Sequence, residues 1–247
     1  DVVRMDGVSF RYPDAQTDAL HDISLSISEG ERIGVTGRTG SGKTTLVRLL
    51  TRQYDPRLGT LYLFGTQYRD LPLALLRKEI SLVPQHTVLF SETVGQNITF
   101  AEENVPEADI ERAARLAELH ETVLSLPDGY DTMLGERGVN LSGGQKQRLS
   151  VARALLEPTS LVILDDSFSA VDTATEKKIL SNLESLFGAA LIISHRVSTI
   201  ASCDRIIVLD GGTVAEKGTH EELLALDGLY AELNRKQELE REVENGR

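Results

Sequence analysis

The octapeptide Gly37-Arg38-Thr39-Gly40-Ser41-Gly42-Lys43-Thr44 constrains the fold more than any other stretch of this 247-residue chain. It fits G-x-x-x-x-G-K-[ST] and has the flanks that motif requires. An apolar run over 33–36 precedes it, and Leu46, Val47, Leu49 and Leu50 follow just after Thr45. A buried strand must therefore feed a tight glycine-rich turn that opens directly into an apolar helix. The glycines let successive backbone N–H groups face one point, and the helix N-terminus adds positive potential there. A phosphate group fits that point. Lys43 can neutralise its outer oxygens, and the Thr44 hydroxyl can hold Mg²⁺.

The rest of the chain supplies the partners such a strand needs. Val8, Phe10 and Tyr12 alternate as if on one strand face, and Ile23, Leu25 and Ile27 do the same on another. Further strands are expected at 61–64, 80–83, 161–164, 191–193 and 206–209. The last four are short continuous apolar runs, the pattern of strands buried on both faces. Strands alternating with helices predict a mainly parallel α/β core with an antiparallel β portion near the N-terminus. Between Gln85 and Pro158 the period becomes helical: Ile110, Ala113, Ala114 and Ala117 share one face, and a second helix after Gly144 turns Leu149, Ala152 and Leu156 inward. The expected division is an α/β core over 1–85 and 158–247, with a helical subdomain inserted over 86–157. From Tyr230 the sequence is rich in Glu, Lys and Arg and reads as a solvated terminal helix.

Composition narrows the functions. A formal net charge of −12 argues against nucleic-acid binding, which needs clustered Lys and Arg. The single cysteine, Cys203, cannot form an internal disulfide, so a reducing, cytosolic compartment is expected. No apolar run approaches the ~20 residues needed to span a bilayer. The chain opens at Asp1, already inside a strand-like pattern, and reads as a domain cut from a longer polypeptide.

Two further motifs sharpen the chemistry. Leu161-Val162-Ile163-Leu164-Asp165 is an apolar strand ending in a carboxylate, the place where phosphate-loop proteins hold Mg²⁺. Leu141-Ser142-Gly143-Gly144-Gln145 offers a hydroxyl and bare N–H groups at a helix start, again suited to an anion. This second motif lies between the phosphate loop and Asp165 and continues as Lys146-Gln147-Arg148-Leu149. It resembles the signature of the ATP-binding-cassette (ABC) family, and the resemblance extends over essentially the whole chain, 1–247.

That resemblance implies a RecA-like phosphate-loop ATPase core with an inserted helical subdomain, and a motor domain that binds ATP and Mg²⁺. The residues from Gly37 to Thr45 would hold the phosphates. Tyr12, in Phe10-Arg11-Tyr12-Pro13, looks like the aromatic that stacks on adenine. Gln85, after Leu82-Val83-Pro84, is similar to the glutamine that senses Mg²⁺ and γ-phosphate, joining Thr44 and Asp165 around the metal. His195 matches the switch histidine. Ser142, Gly143, Gly144 and Gln145 would touch the γ-phosphate held by an opposite subunit, and Ser169-Ala170-Val171-Asp172 resembles the loop that crosses the dimer interface. Three segments are similar to exporters: the stretch from Phe90 to Ile98, Gly135-Glu136-Arg137-Gly138, and Lys217-Gly218-Thr219-His220-Glu221-Glu222-Leu223. The implied partners are a transmembrane domain N-terminal on the same polypeptide and a second, non-identical half-transporter, with no nucleic acid. The implied place is the cytoplasmic face of the cell membrane.

One position departs from the family pattern. The residue after the Mg²⁺ aspartate is normally Glu, and here it is Asp166. Its carboxylate is withdrawn by about one C–C bond, roughly 1.5 Å, enough to slow a positioned reaction by on the order of 10²-fold. Such an Asp resembles the degenerate subunit of heterodimeric exporters, although His195 is retained. A fully active homodimer and a non-hydrolysing nucleotide-gated module are the alternative expectations.

Overall fold

The computed structural model describes residues 1–100, 102, 104–135, 140–184 and 188–245. Its elements begin with β1 (Val3–Phe10), β2 (Leu20–Ile27), β3 (Arg32–Gly37), α1 (Lys43–Leu50), β4 (Leu58–Leu63), β5 (Thr66–Gln67), α2 (Leu73–Glu79) and β6 (Ile80–Val83). Then come α3 (Val94–Thr99), α4 (Glu107–Leu116), α5 (His120–Leu124), α6 (Gly143–Ala154), β7 (Leu161–Asp165) and α7 (Thr173–Glu184). The chain closes with β8 (Ala190–Ile193), α8 (Val197–Ile200), β9 (Arg205–Asp210), β10 (Thr213–Gly218), α9 (His220–Ala225) and α10 (Leu229–Asn245). These residues form two compact units. The first is Asp1–Ser81, Ser160–Asp165 and Gly188–Arg247; the second is Leu82–Thr159 and Asp166–Phe187.

The first unit contains the N-terminal antiparallel sheet, in the order β2-β1-β4-β5. Val3 pairs with Ile27 on one side and Leu63 on the other. Register shifts in β1 between Met5 and Val8 and between Val8 and Phe10 break the simple alternation, so that Val8, Ser9 and Phe10 are all buried. The strand stops at Phe10. Tyr12, expected on the same strand face, lies beyond its end, just ahead of Pro13, a neighbour that disfavours helix but needs no sheet partner.

The second sheet runs β10-β9-β3-β8-β7-β6. Its β9-β3-β8-β7 portion is parallel throughout. Every residue from Leu161 to Leu164 has no exposed surface, as expected of strands covered on both faces. β10, by contrast, has no apolar run; its residues alternate between exposed and half-buried, and it pairs antiparallel with β9 across Gly211-Gly212. Only its partner and this turn make it a strand, which is why periodicity missed it.

The terminal helix α10 is not simply solvated. Tyr230 is fully buried, and its hydroxyl lies 2.8 Å from His220 Nδ1. The Glu216 carboxylate accepts from the N–H groups of Leu229 and, at 3.0 Å, Tyr230. It thereby satisfies two of the donors that a helix start leaves open.

In the second unit, α3 opens with a reciprocal cap between Thr93 and Gln96. Beside it, the fully buried Asn97 amide accepts from Phe90 N and donates to Phe90 O, Glu92 O and Thr93 O. Ala113, Ala114 and Ala117 are buried, as are Leu149 and Ala152 of α6, while Leu156 is buried just past that helix. The expected loop residues Glu136, Arg137 and Gly138 lie outside the described residues.

The expectation of a transmembrane domain on the same polypeptide is corrected for the residues described: none of them supplies one. Among the described residues no helix is long and apolar enough to cross a membrane. The 17-residue α10 carries Glu, Lys and Arg along its length.

Gly59 tests the β1–β4 pairing. Its φ is +77°, and a Cβ there would stand 2.3 Å from Gly7 O and 2.4 Å from Asp6 O, both backbone atoms. Gly59→Ala should cost about 2 kcal/mol or more, lowering the thermal midpoint by roughly 4–8 °C. Scanning calorimetry checks this, and an unchanged midpoint would mean that β1 and β4 separate at no cost.

Candidate functional site

In the first unit, β3 delivers the chain to the phosphate loop and α1 carries it away. Gly37 has a φ of +144°, and a Cβ there would meet Leu209 O at 2.0 Å. No other residue allows β3 to pass β9 so closely before turning. Arg38, Thr39 and Gly40 are exposed, and so is Thr44 one residue into α1. Lys43 is buried and folds its ammonium back over the loop, donating to Gly37 O at 2.8 Å, Arg38 O at 2.9 Å and Ser41 Oγ at 3.3 Å. The loop's oxygens thus form a ring around a cation that is already desolvated. An anion entering the ring would exchange one set of oxygen partners for a charged one, which strengthens each hydrogen bond.

The parallel ladder brings two more expected residues to the same edge. Val35 of β3 pairs with Ile193 of β8, and Ile193 pairs with Asp165 of β7. Asp165 therefore ends its strand level with the last residues before the phosphate loop, and His195 emerges two residues past the same level, exposed. Carboxyl ends of parallel strands are where open α/β sheets bind ligands. Among the described residues no group of three or more His, Cys, Asp or Glu forms a metal cage. The donors present, the Thr44 hydroxyl and the Asp165 carboxylate, are hard oxygens. They suit Mg²⁺, which is commonly held by one or two carboxylates with substrate phosphates completing its shell.

Tyr12 meets this region through its hydroxyl, 3.1 Å from Thr45 Oγ1, and accepts from Arg48 at 3.0 Å. Its ring stands edge-on to Phe10 and Tyr54, with interplanar angles of 85° in both cases. These contacts fix the ring plane beside the start of α1.

The second unit holds the other expected residues. Gln85 and Asp166 meet each other: Gln85 Nε2 donates to Asp166 Oδ2 at 3.4 Å, a long bond on the surface. Asp166 has a φ of +46°, a left-handed conformation in which Asp is several-fold enriched. The next residue, Ser167, anchors the turn by donating to Val83 O at 3.0 Å. Phe168, next in the chain, is buried.

Ser142 caps α6. Its Oγ accepts from Gln145 N at 3.3 Å, while Gln145 Oε1 accepts from Ser142 N at 2.8 Å. Ser142 and Gly143 are exposed. With the turn from Ala170 to Asp172 they line an open cleft of about 360 Å³. A Cβ on Gly144 would lie 2.6 Å from Ala170 O, so this glycine serves packing as much as anion access. Asp172 caps α7, and the N–H of Thr175 bonded to its carboxylate at 2.9 Å holds its pKa below the usual range.

The sequence profile described as ABC transporter matches residues 20–169. Among curated proteins, the chain is 47% identical over 223 residues to the "Uncharacterized ABC transporter ATP-binding protein YfiB" of Bacillus subtilis, covering 90% of this chain and 39% of that protein. It is also 47% identical over 239 residues to the "ATP-dependent lipid A-core flippase" of Alkalilimnicola ehrlichii, covering 96% and 41% respectively. Among solved structures, that of a bacterial Atm1-family ABC exporter with ATP bound superposes with a TM-score of 0.90 at 41% identity, over 95% of this chain and 42% of that one. The chain thus spans about two fifths of the length of these relatives.

Gln147 is a site residue that sequence reasoning did not single out. It is buried on α6, donates to Ser169 Oγ at 2.8 Å and accepts from Ala170 N at 2.8 Å. Its amide therefore ties the Ser142 helix to the Ala170 turn. No local pattern marks it, because both partners lie more than twenty residues away. Gln147→Leu should cost about 1–3 kcal/mol by stranding the Ala170 N–H. Faster hydrogen exchange at Ala170 checks this directly, and unchanged exchange would mean that the turn holds without Gln147.

Proposed function

We propose that this chain, which belongs to the ABC transporter family, is an ATP-binding and ATP-hydrolysing cassette of the exporter type. It acts at the cytoplasmic face of a membrane and pairs with a second cassette across two composite nucleotide sites. The observation that carries this reading is the Lys43 ammonium, poised among loop oxygens at the edge where Asp165 and His195 also end. The exporter assignment is supported by the chain's similarity to a flippase and to an Atm1-family exporter.

In this reading Tyr12 lies against adenine, and the residues from Gly37 to Thr45 bind the phosphates through backbone N–H groups and Lys43. Thr44 and Asp165, with Gln85, hold Mg²⁺, which when bound offsets the charge of the phosphate oxygens. His195 donates to the γ-phosphate, and Asp166 orients the attacking water. The Ser142 hydroxyl, with Gly143, Gly144 and Gln145, serves the nucleotide of the partner cassette. Positioning and charge stabilisation supply most of the acceleration in phosphoryl transfer, so the short carboxylate of Asp166 makes this chain's own site slow rather than inert.

Two measurements test the reading. Lys43→Ala should abolish or strongly weaken Mg-ATP binding by calorimetry, since it removes the cation at the centre of the loop; unchanged affinity would remove the site from this loop. Asp166→Glu should raise single-turnover ATP hydrolysis several-fold. Glu is less at ease at a φ of +46°, where the left-handed backbone costs a non-glycine residue about 1–2 kcal/mol, so rate and not stability is the quantity to compare. Equal rates for the Asp and Glu forms would mean that Asp166 is fully competent and the site is not degenerate. No hydrolysis by either form would favour a non-hydrolysing, nucleotide-gated module.

A further inference from the structure

The four-residue helix α8 starts just after His195, and the side chain at its N-cap, Arg196, makes no capping hydrogen bond. The missing partner arrives from forty residues downstream. Gln237, on α10, accepts from Val197 N at 2.8 Å through Oε1 and donates to His195 O at 2.5 Å through Nε2. A single amide thereby grips the backbone on both sides of Arg196. One helical turn further, Arg241 donates to Ser198 Oγ at 2.6 Å. A third side chain of the same helix reaches the other loop of the site: Glu232 accepts from Arg38 of the phosphate loop at 3.1 and 3.3 Å.

Residues 230, 237 and 241 recur at helical spacing, so Gln237 and Arg241 project from the face of α10 that Tyr230 already docks. That docking does not need them. Tyr230 is fully buried, and the Glu216 carboxylate caps the helix start. The Gln237 amide is therefore free to serve the loop rather than the helix. Its two bonds fall on the His195 carbonyl and on the Val197 N–H, one of the open donors at the start of α8. Such bonds determine where the His195 peptide sits, and with it the point from which the imidazole departs.

We infer that α10 is a positioning element for the nucleotide site, with Gln237 acting through the backbone of His195; this rests on the reading that His195 faces the γ-phosphate. Gln237 does not touch nucleotide. It holds in register a side chain that does, while Arg241 fixes Ser198 in the same short helix and Glu232 ties α10 to Arg38 of the phosphate loop. The terminal helix thereby makes the rate of hydrolysis sensitive to whatever displaces it.

The test uses the full chain with Gln237→Met, which keeps the volume and loses both bonds, and Gln237→Glu, which keeps the acceptor for Val197 N and turns a carboxylate oxygen toward His195 O. Both should leave the thermal midpoint and the affinity for ADP nearly unchanged, keep the KM for ATP within about twofold, and lower kcat by about tenfold, the scale expected of a sub-ångström misplacement. In a His195→Ala background, Gln237→Met should cause no further loss, because the two residues act as one. A kcat equal to that of the unmodified chain, or a loss that adds to that of His195→Ala, would overturn the inference while leaving the ATPase reading intact. An unmodified chain with no turnover would instead overturn the ATPase reading, and this inference with it.

Discussion

The register of three buried parallel strands governs the chemistry of the first unit. Val35, Ile193 and Asp165 sit level across β3, β8 and β7, so the phosphate loop, His195 and the Asp165 carboxylate all leave the sheet at one edge. A shift of a single residue in either ladder would turn side chains to the opposite face and scatter the three groups. Burial on both faces removes any polar–apolar contrast along the runs of β7 and β8, so their register rests on side-chain packing and on the polar residues that end the runs.

Local requirements were legible in the sequence, and long-range ones were not. The turn from Gly37 to Thr44 could be read because a strand, a sharp bend and a helix each need their own residue types within a few positions. The apolar runs of β3, β7, β8 and β9 were equally plain, and the RecA-like α/β architecture with its helical insert followed from them and from the family resemblance. Tyr12 misled the strand reading, since alternation cannot reveal that β1 has bulges and stops at Phe10. The acidic composition of α10 hid Tyr230, its fully buried aromatic anchor. Gln147 and Gln237 were invisible for another reason. Each acts through an amide whose partners are fixed only once distant elements have packed, and glutamine on a helix carries no pattern of its own.

Asp166 shows how backbone and side chain can share a constraint. The chain turns there through a left-handed conformation, and the next residue is pinned by its hydroxyl to Val83 O. A short acidic residue suits such a bend better than a longer one, so the missing methylene that sets its carboxylate back also eases the turn. The long contact with Gln85 leaves that carboxylate loosely held.

The interleaving of the two units has a consequence for synthesis. The chain passes from one unit to the other at four points, and β3, which carries the phosphate loop, pairs only with β8 and β9. Until Ala190–Ile193 and Arg205–Asp210 have left the ribosome, Ile33 and Val35 have no neighbour on either side. At roughly 5–20 residues per second, that wait lasts on the order of 10–30 s. Strand β3 thus spends that interval as an uncovered apolar segment, and the nascent chain needs shelter from aggregation there.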